Sequence, residues 1–131
     1  MLKTKSVFSP ISLETDGLRI LASRFRGRGM PADRYDVWMP SLGPSERLLK
    51  SLLAHETTWA HFVRDYRAEL FMDGPVDSLC NTVKNHGQKF TLRLIKRLAV
   101  NSSVTLMCQC GEEEMQCHRH VLKGIIERKL I

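Results

Sequence analysis

The amino-acid sequence predicts a small α/β domain whose largely parallel sheet is flanked by helices. Two stretches, residues 17–23 and 103–110, have the aliphatic density of strands. Between them, residues 44–99 place leucines and aromatics at the adjacent-pair spacing of amphipathic helices. Two strands joined by a long helical crossover most simply run parallel, with their carboxyl ends on one side. The loops leaving those ends, 24–29 and 111–117, should then converge at a rim where ligands tend to sit.

Taken in order, the first element expected is a short strand over Lys5, Ser6, Val7 and Phe8, ended by Pro10. Asp16 and Gly17 signal a turn into the better strand at 17–23. Residues 30–43 carry Pro31, Pro40, Tyr35 and Trp38 and read as irregular but packed. Ser45 is the expected N-cap of a helix burying Leu48, Leu49, Leu52 and Leu53. Thr57 or Thr58 caps a second helix, with Trp59, Phe62, Val63, Tyr66 and Leu70 on one side. That spacing makes these aromatics core rather than a base-stacking platform. Gly74 and Pro75 stop the helix. A third helical segment is expected around Leu79, Cys80 and Val83, and a fourth over 89–99 with Leu94, Ile95 and Leu98 inward. The strand at 103–110 and a closing helix over 117–130 complete the chain, with no repeat or linker between elements.

A length of 131 residues fits one domain, 1–131, large enough to bury a core unaided. The hydrophobic share of 43% and charged share of 26% are ordinary for a globular protein. No apolar run approaches the roughly 20 residues of a membrane span, and no secretory h-region follows Lys3 and Lys5. A cytoplasmic location without membrane partners is the expectation. The net charge of +6 favours anionic partners such as nucleotides, nucleic acid or acidic lipid. Four cysteines in a cytosolic chain are more often buried, metal-bound or reactive than disulfide-paired.

Three of those cysteines and two histidines crowd into residues 108–120. Alternation along a strand puts Cys108 and Cys110 on one face. On the closing helix, His118 shares a stripe with Val121, Leu122 and Ile125, whereas His120 falls with Lys123 and Glu127 on the wet side. Cys117 lies in the first helical turn, where free N–H groups and the helix dipole favour a thiolate, and Arg119 stands two residues on to hold an anion.

Four readings of this cluster compete. Cys117 acts as a nucleophile or redox thiol, with Arg24, Arg28 or Arg119 holding an anionic substrate. Or Cys108, Cys110, Cys117 and His118 bind zinc, whose ligand types suit it although the spacing lacks paired knuckles. Or the cysteines pair by oxidation, which requires Cys117 to move in. Or they pack as small hydrophobes, with His118 a satisfied polar group.

A cysteine-phosphatase loop is excluded. Counting from Cys117 to the position that needs arginine reaches Lys123, and from Cys110 or Cys108 it reaches Gln116 or Glu114. Glu112, Glu113 and Glu114 also repel phosphate and read as a solvated acidic turn. One of them, Glu112 or Glu113 before Glu114, would face the pocket and pair with an arginine of the other loop.

That other loop places Arg24, Arg26 and Arg28 around Phe25, with Gly27 and Gly29 letting backbone amides approach a ligand. Guanidinium forks grip phosphate or carboxylate through paired hydrogen bonds. The loop is neither a Walker loop nor a dinucleotide fingerprint. It offers phosphate affinity without base readout.

Taken together, an ordered set of pieces resembles the domain-of-unknown-function family 488, in particular its YeaO-like group, along almost the whole chain. The set comprises the strand at 18–23 leading into Arg24, Arg28 and Gly29, then Asp36-Val37-Trp38 and Leu42-Gly43-Pro44-Ser45. It continues with Trp59, Phe62, Tyr66, Glu69 and Leu70, then Leu106-Met107-Cys108 and Cys117-His118-Arg119. Where that group has Trp-Pro before its second arginine, this chain has Arg26-Gly27, a more basic and flexible loop. Cys110 is not part of the family pattern, so zinc binding is not implied for the family as a whole. The resemblance implies a compact cytosolic α/β domain and carries over no activity.

The leading expectation is therefore a small anionic-ligand site, for a nucleotide or nucleic-acid fragment. Arg24, Arg28 and Gly29 would form it with Cys108, Glu112, His118 and Arg119, and Cys117 would be the candidate nucleophile. The alternative is a non-enzymatic module for nucleic acid or protein, with the cysteines structural or on zinc. The sequence demands no cofactor, and it leaves the oligomeric state open.

Overall fold

The strand Val104–Cys108 buries all five of its side chains. Such a strand is stable only if both faces are covered. The computed structural model describes residues 1–72, 74–77, 80–85 and 87–128, with residues 74–77 and 80–85 described by their backbone. In chain order it contains β1 (Leu2–Ser6), α1 (Leu13–Asp16), β2 (Leu18–Leu21), β3 (Val37–Trp38), α2 (Glu46–Leu53) and α3 (Trp59–Leu70). Then follow β4 (Gly74–Asp77), β5 (Cys80–Asn85), α4 (Lys89–Asn101), β6 (Val104–Cys108) and α5 (His118–Glu127). Four strands form one sheet in the order β1-β6-β2-β3, every pair parallel. The fold is a single α/β domain, as the crossover argument requires. Among the described residues, no helix is long and apolar enough to cross a membrane.

Register decides where the loops go. Ser6 pairs with Cys108, Leu21 with Met107, and Leu21 again with Trp38. The carboxyl ends of all four strands therefore share one rim. Gly17 makes the entry into β2 feasible, with a φ of 63° and a position where a Cβ would stand 2.0 Å from the Ser103 carbonyl oxygen. The core joins Ile20, Leu106 and Leu122 with Phe62, Tyr66 and Leu70 of α3 and Leu92 and Ile95 of α4. Trp59 stacks on Phe62 at 5.2 Å, and Phe62 on Tyr66 at 6.0 Å, so these rings are packing elements.

Both expected helix caps form: the Ser45 hydroxyl accepts from the Leu48 N–H, and the Thr58 hydroxyl from that of His61. Several expectations need correction. The first strand spans Leu2–Ser6 rather than 5–8, because backbone pairing with β6 sets its bounds; Phe8 is exposed. The helical segment expected around Cys80 and Val83 is instead the strand β5, paired antiparallel with β4, and Leu79 lies outside the described residues. Three or four apolar positions fit either period, and the β-branched Thr82 and Val83 tip it to strand. In α4, Leu92 and Ile95 face inward, whereas Leu94 and Leu98 are exposed; in α2, Leu53 is exposed. The strand β6 ends at Cys108, two residues before the expected end, and the helix α5 is shorter at both ends than 117–130. Leu130 lies outside the described residues.

Candidate functional site

Because β6 stops at Cys108, the chain bends at Gln109 and Cys110, and Cys110 turns back toward the strand end. Cys117, the residue before α5, closes the cluster from the other side. The three sulfur atoms lie within 4.8 Å of one another, and Cys108 Sγ is 2.8 Å from Cys117 Sγ. Cys108 and Cys117 are buried, while Cys110 is half-exposed.

Their protons are shared unequally. Hydrogen bonds from the Cys108 and Cys117 thiols pull Cys110 far below the usual thiol range, with His118 and Arg119 adding to the effect. Those same contacts, with burial, push Cys117 far up, and Cys108 is raised chiefly by its contact with Cys110. Three sulfurs this close hold one negative charge comfortably and not three.

Residues of α5 hold this cluster in place. His118 Nε2 lies 2.7 Å from the Ala22 carbonyl oxygen, just past β2. Burial lowers the His118 pKa, and the carbonyl partner only partly offsets this, so the ring is neutral. A carbonyl accepts only, which puts the proton on Nε2 and leaves a lone pair on Nδ1. Nδ1 stands 3.9 Å from Cys117 Sγ. The ring is further fixed edge-on against Tyr66 at 5.8 Å, and the Tyr66 hydroxyl donates to the Leu42 carbonyl.

Arg119 is fully buried. Its NH1 donates to Cys108 Sγ at 2.9 Å and to the Cys110 carbonyl at 3.1 Å. Its NH2 donates to the carbonyls of Gly111 and Glu112, so the guanidinium organises the 109–116 loop from within. Glu112 turns away from the arginine loop: its carboxylate accepts from the Ser6 N–H at 2.7 Å and the Ser9 hydroxyl at 2.6 Å. His120, half-buried, sits 3.0 Å from the Glu114 carbonyl.

The arginine–glycine loop does reach this rim. Gln109 Nε2 donates to the Phe25 carbonyl at 2.6 Å, and the Ser23 hydroxyl donates to the same oxygen. Gly27 packs close to the Gln109 side chain. Arg24, however, turns to the protein, donating from Nε to Pro44 O at 2.8 Å and from NH2 to Gly43 O at 2.9 Å. Gly43 allows the two backbones that closeness, since a Cβ there would stand 2.5 Å from the Arg24 backbone nitrogen. Arg26 bonds the Tyr35 hydroxyl and lies over the Trp38 ring at 5.6 Å. Arg28 and Gly29 are exposed; Arg28 has no hydrogen-bonding or ionic partner among the described residues, and Gly29 adopts a φ of 71°.

A pocket of about 310 Å³ opens between the two segments. Its walls include Phe25, Pro44, Leu49 and Leu53, and Cys108, Cys110 and His118 also line it. A larger recess of about 550 Å³ between α2 and α3 is lined by surface groups such as Arg47, Glu56 and Asp65 and includes no thiol. The thiol-lined pocket is the candidate site. Beyond the candidates named from the sequence, the structure adds Ser23, Phe25, Pro44, Leu49, Leu53 and Gln109 to it; Phe25 belongs to the arginine–glycine loop, whereas Leu49 and Leu53 come from a helix that the sequence pattern assigns to packing.

A parallel α/β domain with a Cys-His-Arg rim is the class that fold and site define. The family described as DUF488-N3a, the active DUF488-N3 subclade, matches residues 2–130. The chain belongs to this domain-of-unknown-function 488 family. No curated protein and no solved structure matches it.

Proposed function

We propose that this domain is a metal–thiolate site serving a small-ligand pocket, with Cys108, Cys110 and Cys117 holding a zinc-class ion. The convergence of the three sulfur atoms within 4.8 Å carries the reading. Thiolate sulfur is the preferred donor for zinc, and a divalent ion would offset the repulsion that otherwise limits the cluster to one charge. Arg119 on Cys108 Sγ is the kind of outer partner that neutralises and orients a ligating sulfur. The family's description as an active subclade agrees with a chemical site here.

The ligand class is a compact anion, a nucleotide or nucleic-acid fragment. Arg26 and Arg28 flank Gly27, which packs beside the pocket-lining Gln109, and the whole chain carries a net charge of +6.

Elemental analysis of protein purified without chelator tests the metal. About one zinc per chain, lost in Cys108→Ser, Cys110→Ser and Cys117→Ser, is the expected result. A metal-free protein that still binds no added zinc sinks the proposal. A second reading has its own support in the Cys117–His118 contact: a neutral imidazole with its Nδ1 lone pair 3.9 Å from a thiol can act as a base for a nucleophile. Metal-free protein whose Cys117 alkylates readily at neutral pH would favour it.

A further inference from the structure

We infer that the metal centre is of the open kind: its fourth position faces the pocket and accepts a donor atom from the flat ring of the ligand. This rests on the metal reading above. A closed structural site needs four protein donors, whereas a site that works on a ligand keeps one position free. Among the described residues His118 is the nearby candidate to close the centre, and the structure holds it back. Its Nδ1 lies 3.9 Å from Cys117 Sγ but outside the group of donors that fall within 4.8 Å of one another. Swinging the ring inward would break the 2.7 Å contact with Ala22 O and the edge contact with Tyr66, in a setting that is almost fully buried. Moving the ring is costly, because it would leave the buried Ala22 carbonyl without its donor.

The other approach to the sulfurs is open. Cys108 and Cys110 both line the pocket, so an ion seated on the sulfurs is reachable from it. At about 310 Å³ the pocket lies at the small end of ligand sites. Phe25, Pro44, Leu49 and Leu53 form apolar walls, and Phe25 and Leu53 are 50% and 70% exposed. Exposed apolar side chains flanking a recess with a polar floor suit the flat ring of a nucleotide or nucleic-acid fragment, whose nitrogen or oxygen donor would reach the ion while its charged group stays outside the recess. His118 then serves as a positioning residue: it orients Cys117 and completes the floor without ligating.

The test uses the full chain loaded with cobalt(II), whose thiolate charge-transfer and d–d bands report coordination. Imidazole and 4-phenylimidazole are the probes. The expected result is one cobalt per chain and a saturable shift of the d–d bands. The phenyl compound should bind at least about tenfold tighter, from burial of its ring. Leu49→Trp, which fills the pocket, should keep the cobalt and lose the shift. His118→Asn should keep the cobalt. Cobalt bound with bands that ignore both probes would overturn the open centre while leaving the metal proposal standing. So would loss of the metal in a folded His118→Asn protein, which would make His118 the fourth ligand. Failure to bind cobalt at all removes both.

Discussion

Arg119 NH1 stands 2.9 Å from Cys108 Sγ, and the same guanidinium reaches the carbonyls of Cys110, Gly111 and Glu112. A buried cation is tolerable only because these acceptors surround it. Replacing Arg119 with Leu strips several buried carbonyls of their donor and should cost about 3–5 kcal/mol, read as a lower urea midpoint. Arg119→Lys keeps the charge without the planar fork and should fall between. In whatever fraction remains folded, zinc affinity should drop by about 10–100-fold. An Arg119→Leu protein as stable as the parent would contradict the role given to this side chain.

Two arginines of one loop should behave differently. Arg28 is exposed and without a partner among the described residues, so Arg28→Ala should leave the thermal midpoint unchanged. It should weaken binding of a labelled mononucleotide, more so at low salt, where screening is least. Arg24 spends its donors on Pro44 and Gly43, so Arg24→Ala should lower stability by about 1–3 kcal/mol. Paired melting and titration curves separate the two effects. Equal losses in both assays for both variants would mean that neither assignment is right.

This division was hidden in the sequence, for a physical reason. Charge and glycine content mark the loop as an anion grip, but they cannot say where each guanidinium turns. That is decided by Gly43, whose lack of a Cβ lets residues 43–44 approach the end of β2. Cys110 shows the same limit. Alternation along a strand put it on the face of Cys108, yet it meets that sulfur because the strand has already ended and the chain bends back. By contrast, β2, β6 and their parallel pairing were legible, as was the approach of the arginine–glycine loop to the end of β6, although it meets Gln109 there rather than the 111–117 loop. Each rests on a long periodic run or on a connection rule that no side-chain detail can override. The antiparallel pair β4–β5 escaped because a few apolar residues carry too little periodicity to choose between helix and strand.

Acid should unfold the molecule partly through Asp16. Burial alone would raise its pKa. The Ser12 N–H and the Lys5 ammonium, 3.0 Å from Oδ1, outweigh that and hold the carboxyl below its ordinary 3.8. A carboxylate depressed in the folded state contributes stability above its unfolded pKa and loses it as pH falls through the folded value. Stability should therefore decline below about pH 3.8 with a slope that Asp16→Asn reduces. The variant should also be less stable at pH 7. An unchanged acid slope, followed by denaturant midpoints across that range, would remove Asp16 from the account.

Zinc should stabilise the fold, and the three cysteines should share that gain while differing without it. A ligand that binds only the folded chain adds about 2.7 kcal/mol at a hundredfold excess over its dissociation constant, so chelator should lower the midpoint of the wild-type protein. Each cysteine-to-serine variant should lose this response. In chelator, Cys110→Ser should melt close to wild type, because its side chain is half-exposed and fills no core volume. Cys108→Ser and Cys117→Ser should melt lower, since both sulfurs are buried and a hydroxyl there needs a partner of its own. A Cys110→Ser protein that kept the full zinc response would leave only two thiolates on the ion and reduce the centre to a Cys108–Cys117 pair.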